Sequence, residues 1–105
     1  MSYNYGNHLP PIHQYYVSGD AIAIGTHASD PDTPATQITE SGVYIIDSGQ
    51  NAGTFKISDS DITTNVFIGH GVTMLAKRWI YMYIKAGQYI RASDEGFLAI
   101  PLSPA

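Results

Sequence analysis

Turn-forming residues break this chain about every ten positions, and between the breaks lie runs of four to seven residues rich in β-branched and aromatic side chains. Runs so short and so evenly spaced leave no room for a helix of ordinary length; they are the pattern of an antiparallel sandwich or barrel. The breaks are Ser18–Gly19–Asp20, the His27–Pro34 loop, Glu40–Ser41–Gly42, Asp47–Ser48–Gly49, Ser58–Asp61, Gly69–His70–Gly71, Ala86–Gly87 and Ser93–Gly96. They are built from Gly, Asp, Ser and Pro, which reach positive φ, bond to their own backbone or fix φ.

Between them the expected strands are Ala21–Thr26, Gln37–Thr39, Val43–Ile46, Thr54–Ile57, Ile62–Ile68, Val72–Leu75, Trp79–Ile84, Gln88–Ala92 and Phe97–Leu102. The Ala86–Gly87 turn is expected to fold Trp79–Ile84 and Gln88–Ala92 into a hairpin. The best helical stretch, Val72–Ile80, is filled with β-branched and aromatic residues, which lose rotamer freedom in a helix. The fold class is therefore all-β: an antiparallel β-sandwich or jelly-roll-like barrel of about eight short strands with an extended N-terminal arm. The chain has 105 residues, room for one domain. We expect residues 1–18 to be the arm and residues 19–105 the single sandwich.

The arm stands apart in composition. Met1–Tyr16 holds no charged residue, carries Pro10–Pro11, and spaces Tyr3, Tyr5, Tyr15 and Tyr16 among small polar residues. Paired prolines favour an extended backbone, and a disordered tail is usually more charged and less aromatic. One reading is an arm that orders on a neighbouring surface through Tyr3, Tyr5, Pro10, Pro11, Tyr15 and Tyr16; the other is a frayed tail.

Charge supplies the functional constraint. Only 13% of residues are Asp, Glu, Lys or Arg, and eight are Tyr, against roughly 25% charged in an average domain. Tyr is enriched where protein surfaces meet, so much of this surface is expected to be covered by other protein. The net charge is −4, with seven acids and one base (Lys56) in 20–61 and four bases (Lys77, Arg78, Lys85, Arg91) without an acid in 66–93. That basic density is too low for a nucleic-acid groove. No apolar run is long enough to span a bilayer, and the first residues lack the regions of a signal peptide. Neither nucleic acid nor membrane is expected as a partner.

The most informative segment is Trp79–Ile84, WIYMYI. In a strand Ile80, Met82 and Ile84 point to one face and Trp79, Tyr81 and Tyr83 to the other. The aliphatic face belongs in the core. Three large rings in a row exceed an ordinary solvent face, and three readings are open: a second layer inside the domain, a subunit or partner interface, or a platform on which a sugar stacks.

Other chemistry finds little support. The four histidines (His8, His13, His27, His70) show no ligand spacing, although a trimer could gather three copies of His70 on its axis. Asp30–Pro31–Asp32 and Asp59–Ser60–Asp61 lack the oxygen series of a calcium loop. There is no cysteine, no G-x-S-x-G elbow and no phosphate loop. We expect no enzyme, no metal and no cofactor.

The stretch from GVYIID through WIYMYIKAGQYIRASDEGFLAIPL resembles the small jelly-roll modules of phage virions, among them head-decoration (cement) proteins and the trimeric knobs of fibres. The resemblance lies in a strand, the Lys85–Gly87 turn, a short polar strand and a last strand ending in Ile100–Pro101–Leu102. It implies a homotrimer without cofactor, made in the host cytoplasm and placed on the capsid surface of a virion. Its partner would be the major capsid protein or another virion protein, held by the arm so that the head is stabilised. The alternative is a receptor- or carbohydrate-binding fibre tip or lectin-like β-module, with Trp79 or Tyr81 stacked on a sugar.

Overall fold

The computed structural model describes residues 11–25, 35–59 and 71–104. The strands among them are β1 (Tyr15–Val17), β2 (Ile22–Ala23), β3 (Thr36–Gln37), β4 (Gly42–Asp47), β5 (Gly53–Ser58), β6 (Val72–Met74), β7 (Trp79–Ile84), β8 (Tyr89–Ala92) and β9 (Leu98–Pro104). They form two antiparallel sheets packed as a sandwich. One has the order β1-β9-β4-β7, with β2 also on β9; the other has the order β3-β8-β5-β6.

The pairing is nested. β2 pairs β9, β3 pairs β8, β4 pairs β7 and β5 pairs β6. Such connectivity arises when one long antiparallel ribbon winds around a core, and it makes the sandwich jelly-roll-like. It also corrects an expectation. Trp79–Ile84 and Tyr89–Ala92 are not a hairpin, because β7 pairs β4 while β8 pairs β3 and β5. The tight turn is present, with the Gln88 N–H donating to the Lys85 carbonyl at 3.1 Å. Yet Gly87 has φ of 93° and Ala86 is not a positive-φ residue, the pattern of an ordinary type II turn. That twist splays its flanking strands, whereas hairpins need the primed types. The chain therefore crosses to the other sheet.

Alternation decides the core. Ile46, Ile84, Ile90 and Ala99 are fully buried, with Phe55 and Phe97 nearly so, and the two phenyl rings meet at 6.4 Å with a tilt of 56°. The inward side of β7 is less uniform than expected. Ile84 is buried and Met82 packs on the core, but Ile80 is 36% exposed. Ile80 sits opposite buried Ile46, on the inner face. It is exposed because β7 ends the order of its sheet, where the opposing layer gives less cover.

Crossings between sheets are pinned by side chains. Thr36 Oγ1 accepts the Gly25 N–H at 2.8 Å, which fixes β3 against the end of β2. Ser48, wholly buried, donates from Oγ to the Leu75 carbonyl at 2.7 Å and accepts the Arg78 N–H at 3.0 Å. Beside it Gly49 has φ of 65°, and a Cβ there would lie 2.7 Å from the Gly96 carbonyl oxygen. No other residue fits that position.

The sheet also starts earlier than the composition suggests. Pro11 is extended, with φ of −55° and ψ of 147°, but Ile12–Gln14 forms one 3-10 turn and Tyr15–Val17 is a strand on β9. The expected strand Ile62–Ile68, the loop 27–34 and His70 lie outside the described residues.

Candidate functional site

The register of the five-stranded sheet builds its outer face row by row. Val17, Leu102, Val43 and Tyr83 form one row; Ile100, Ile45 and Tyr81 form the next; Ala23, Leu98, Asp47 and Trp79 form the third. Tyr15, opposite Pro104, lies on the same side, and its ring meets that of Tyr81 at 6.2 Å with a tilt of 59°. Asp47 is the single charged side chain in these rows. Its carboxylate turns into the following loop, where Oδ1 accepts the Gly49 N–H at 2.8 Å.

This face is open to solvent at its margins and partly covered in its middle. Val17 is 58% exposed, Tyr83 54% and Trp79 50%, whereas Leu102 is buried and Val43, Ile45, Ile100 and Tyr81 are half-buried. The aromatic row of β7 is thus on the outer face, as its alternation implies, and is not sealed by a second layer of the domain at Trp79 or Tyr83. Tyr16, opposite Ser103, points the other way from β1 and is 56% exposed. Pro11 is exposed at the start of the 3-10 turn. Tyr3, Tyr5 and Pro10 lie outside the described residues.

Trp79, Tyr81, Tyr83 and Tyr15 therefore come together, while Tyr16 and Pro11 do not join them. The aliphatic half of the face, Val43, Ile45, Leu98 and Ile100, escaped the reading of single strands. A signal was present: VYII and FLAIPL are apolar on both parities, and a strand apolar on both sides is covered on both sides.

A second feature is a notch of about 130 Å³ at the other end of β4, lined in part by Ser18, Glu40, Ser41, Tyr44 and Ser103. The Tyr44 hydroxyl donates to the Glu40 carbonyl at 2.6 Å. Burial, followed by the negative charge of Glu40, raises the Tyr44 phenol above its ordinary 10.0. Two of its serines have neighbours of their own: Ser41 Oγ accepts the Ala86 N–H at 2.8 Å, and the Ser18 N–H donates to Pro101. Among the described residues no histidine lines the notch. Among the described residues no group of three or more His, Asp or Glu could hold a metal ion, and no helix is long and apolar enough to cross a membrane.

Comparison with protein families, with curated proteins and with solved structures found no match for the chain. The outer face of the five-stranded sheet is the feature that asks for a function.

Proposed function

We propose that this chain is a non-catalytic structural subunit of a protein assembly, and in finer form a decoration (cement) protein on a virus capsid. The observation that carries the reading is the outer face of the five-stranded sheet, whose rows hold one charge and leave Trp79, Tyr83 and Val17 at least half exposed. Contiguous apolar patches rimmed by polar residues mark contact sites, and Trp and Tyr anchor such contacts.

The occupant we assign to the face is further copies of the same chain, gathered as a homotrimer. Around a three-fold axis this face of one copy meets a different patch of the next, and a face almost without charge brings few like charges to that contact. Four strands at about 4.8 Å and six residues at about 3.3 Å give roughly 400 Å² in projection, and side-chain relief brings the accessible area toward the ~800 Å² per partner of a stable interface. The shell is then left to the arm, through Tyr3, Tyr5, Pro10 and Pro11, with β1 tethering it to the sheet. Capsid decoration and head stabilisation follow from many such modules bridging shell subunits.

The test is sedimentation with empty heads of the virus that encodes the chain. The intact chain should co-sediment, and a chain lacking residues 1–10, which keeps β1, should stay in the supernatant. If the truncated chain still saturates the heads, the arm has no such role. The exposure of Trp79 favours one other reading, a sugar platform of a fibre tip or lectin-like module. A glycan array with Trp79→Ala as control separates the two: binding lost in the variant supports the platform, and an array without signal removes it.

A further inference from the structure

At the end of the sandwich where Ser48 is buried, the turn between β6 and β7 projects an unusual set of side chains. Leu75 is 66% exposed, more than any other large apolar residue described. Lys77 and Arg78 follow, both exposed, and Trp79 borders them. Neither side-chain cation makes an ion pair among the described residues.

The turn is held rigidly from beneath. Ser48 Oγ bonds the Leu75 carbonyl and the Arg78 N–H at 2.7 and 3.0 Å, the Ser48 N–H donates to the Arg78 carbonyl at 2.9 Å, and the Lys77 N–H donates to the Gly49 carbonyl at 2.7 Å. Within this frame Lys77 adopts φ of 57° and is the single positive-φ residue other than glycine among those described. A Cβ is unfavourable in that conformation, and glycine would take it without cost. Strain kept at an exposed position by its surroundings is a mark of function.

We infer that the Leu75–Trp79 turn is a second contact site, shaped in advance for a protein segment that presents carboxylates beside an apolar side chain. Lys77 supplies a point charge and Arg78 a planar fork for carboxylate oxygens; Leu75 and Trp79 supply apolar flanks. Asp47 and the neighbouring Asp94 and Glu95 make an extended polyanion a poor fit, and the chain as a whole carries a net charge of −4. Because the turn is already fixed, binding costs little ordering entropy. The site shares Trp79 with the sheet face, whereas Leu75, Lys77 and Arg78 lie outside the rows of that face.

The test is an NMR titration of the intact chain with a synthetic peptide of sequence Asp-Leu-Phe-Glu between neutral flanks, beside the same peptide with Lys replacing both acids and a single-stranded DNA oligomer. The acidic peptide should shift the amides of 75–79 and the Trp79 indole N–H, and the two controls should not. Lys77→Glu combined with Arg78→Glu should weaken the acidic peptide by about tenfold or more. Lys77→Gly should raise the melting temperature yet weaken the peptide, a split that a purely structural lysine would not produce. Shifts elsewhere, no shifts, an equal response to either control, or unchanged peptide affinity in Lys77→Gly would each overturn the inference.

Discussion

The two sheets of this sandwich share one core and differ on their outer faces. On the four-stranded sheet the outward positions are Thr54, Lys56 and Ser58 on β5, facing Thr73 on β6 and Arg91 and Tyr89 on β8. The hydroxyls of Thr54 and Thr73 lie 3.1 Å apart across the strands. This outer face is polar but not open throughout: Thr73 is exposed, Thr54, Lys56, Ser58 and Tyr89 are half-buried, and Arg91 is buried. On the five-stranded sheet the same positions are Val43, Ile45, Tyr81, Tyr83, Leu98 and Ile100. Two layers made by one winding chain thus follow opposite rules. The difference teaches that the chain places its scarce charge selectively, leaving one face apolar enough to be buried against protein.

Adjacent residues of β4 break or sharpen that comparison most strongly. Ile46 is fully buried and Ile45 is its outward neighbour. Ile46→Ala should cost about 2–5 kcal/mol in urea unfolding. Ile45→Ser should cost markedly less at concentrations where the chain is dissociated, and should reduce association instead. Equal costs would mean that both faces are core.

Ser48→Ala is the next largest effect. It strips the buried Ser48 hydroxyl from the Leu75 carbonyl and the Arg78 N–H, and about 1–3 kcal/mol should be lost in the same assay. The turn it supports should lose protection in hydrogen exchange.

The pH dependence follows from Tyr44, at the inner face beside the notch. Its folded pKa is raised, so the folded chain holds the phenol proton more tightly than the unfolded one. Stability is then fully present below the ordinary value of 10.0 and falls as pH rises above it through the folded pKa. A melting series across that range should decline, and Tyr44→Phe should flatten the decline while removing the bond to Glu40.

The smallest effect belongs to the polar face. Thr73→Lys, on the exposed edge strand β6, should change stability by no more than about 0.5 kcal/mol and leave the solution mass unchanged.

Most strand positions were legible because turn residues punctuate the chain, and Trp79–Ile84 matches β7 residue for residue. Pairing was not. In a nested winding each strand meets a partner remote in sequence, such as Ile22 with Ala99, and local periodicity carries no trace of that choice. The hairpin expectation failed at Gly87 because two turn types share one composition and differ in the sign of a single dihedral. β1 was hidden in the composition of the arm, since Tyr15–Val17 is held by β9 and not by a pattern of its own. For the candidate site, the rings of β7 were visible as an alternation, but the aliphatic rows beside them appear only once β4 and β9 are in register. The buried role of Ser48 was also out of reach, because a serine in a turn looks alike whether it faces water or two carbonyl-rich loops.

The claim beneath all of this is that the face bearing Tyr83 is an interface between copies of the chain, and light scattering on the purified protein tests it most directly. The account predicts a mass three times that of the 11.4 kDa chain, collapsing to the single-chain mass in Tyr83→Lys. An intact chain that stays at 11.4 kDa as its concentration rises would contradict it.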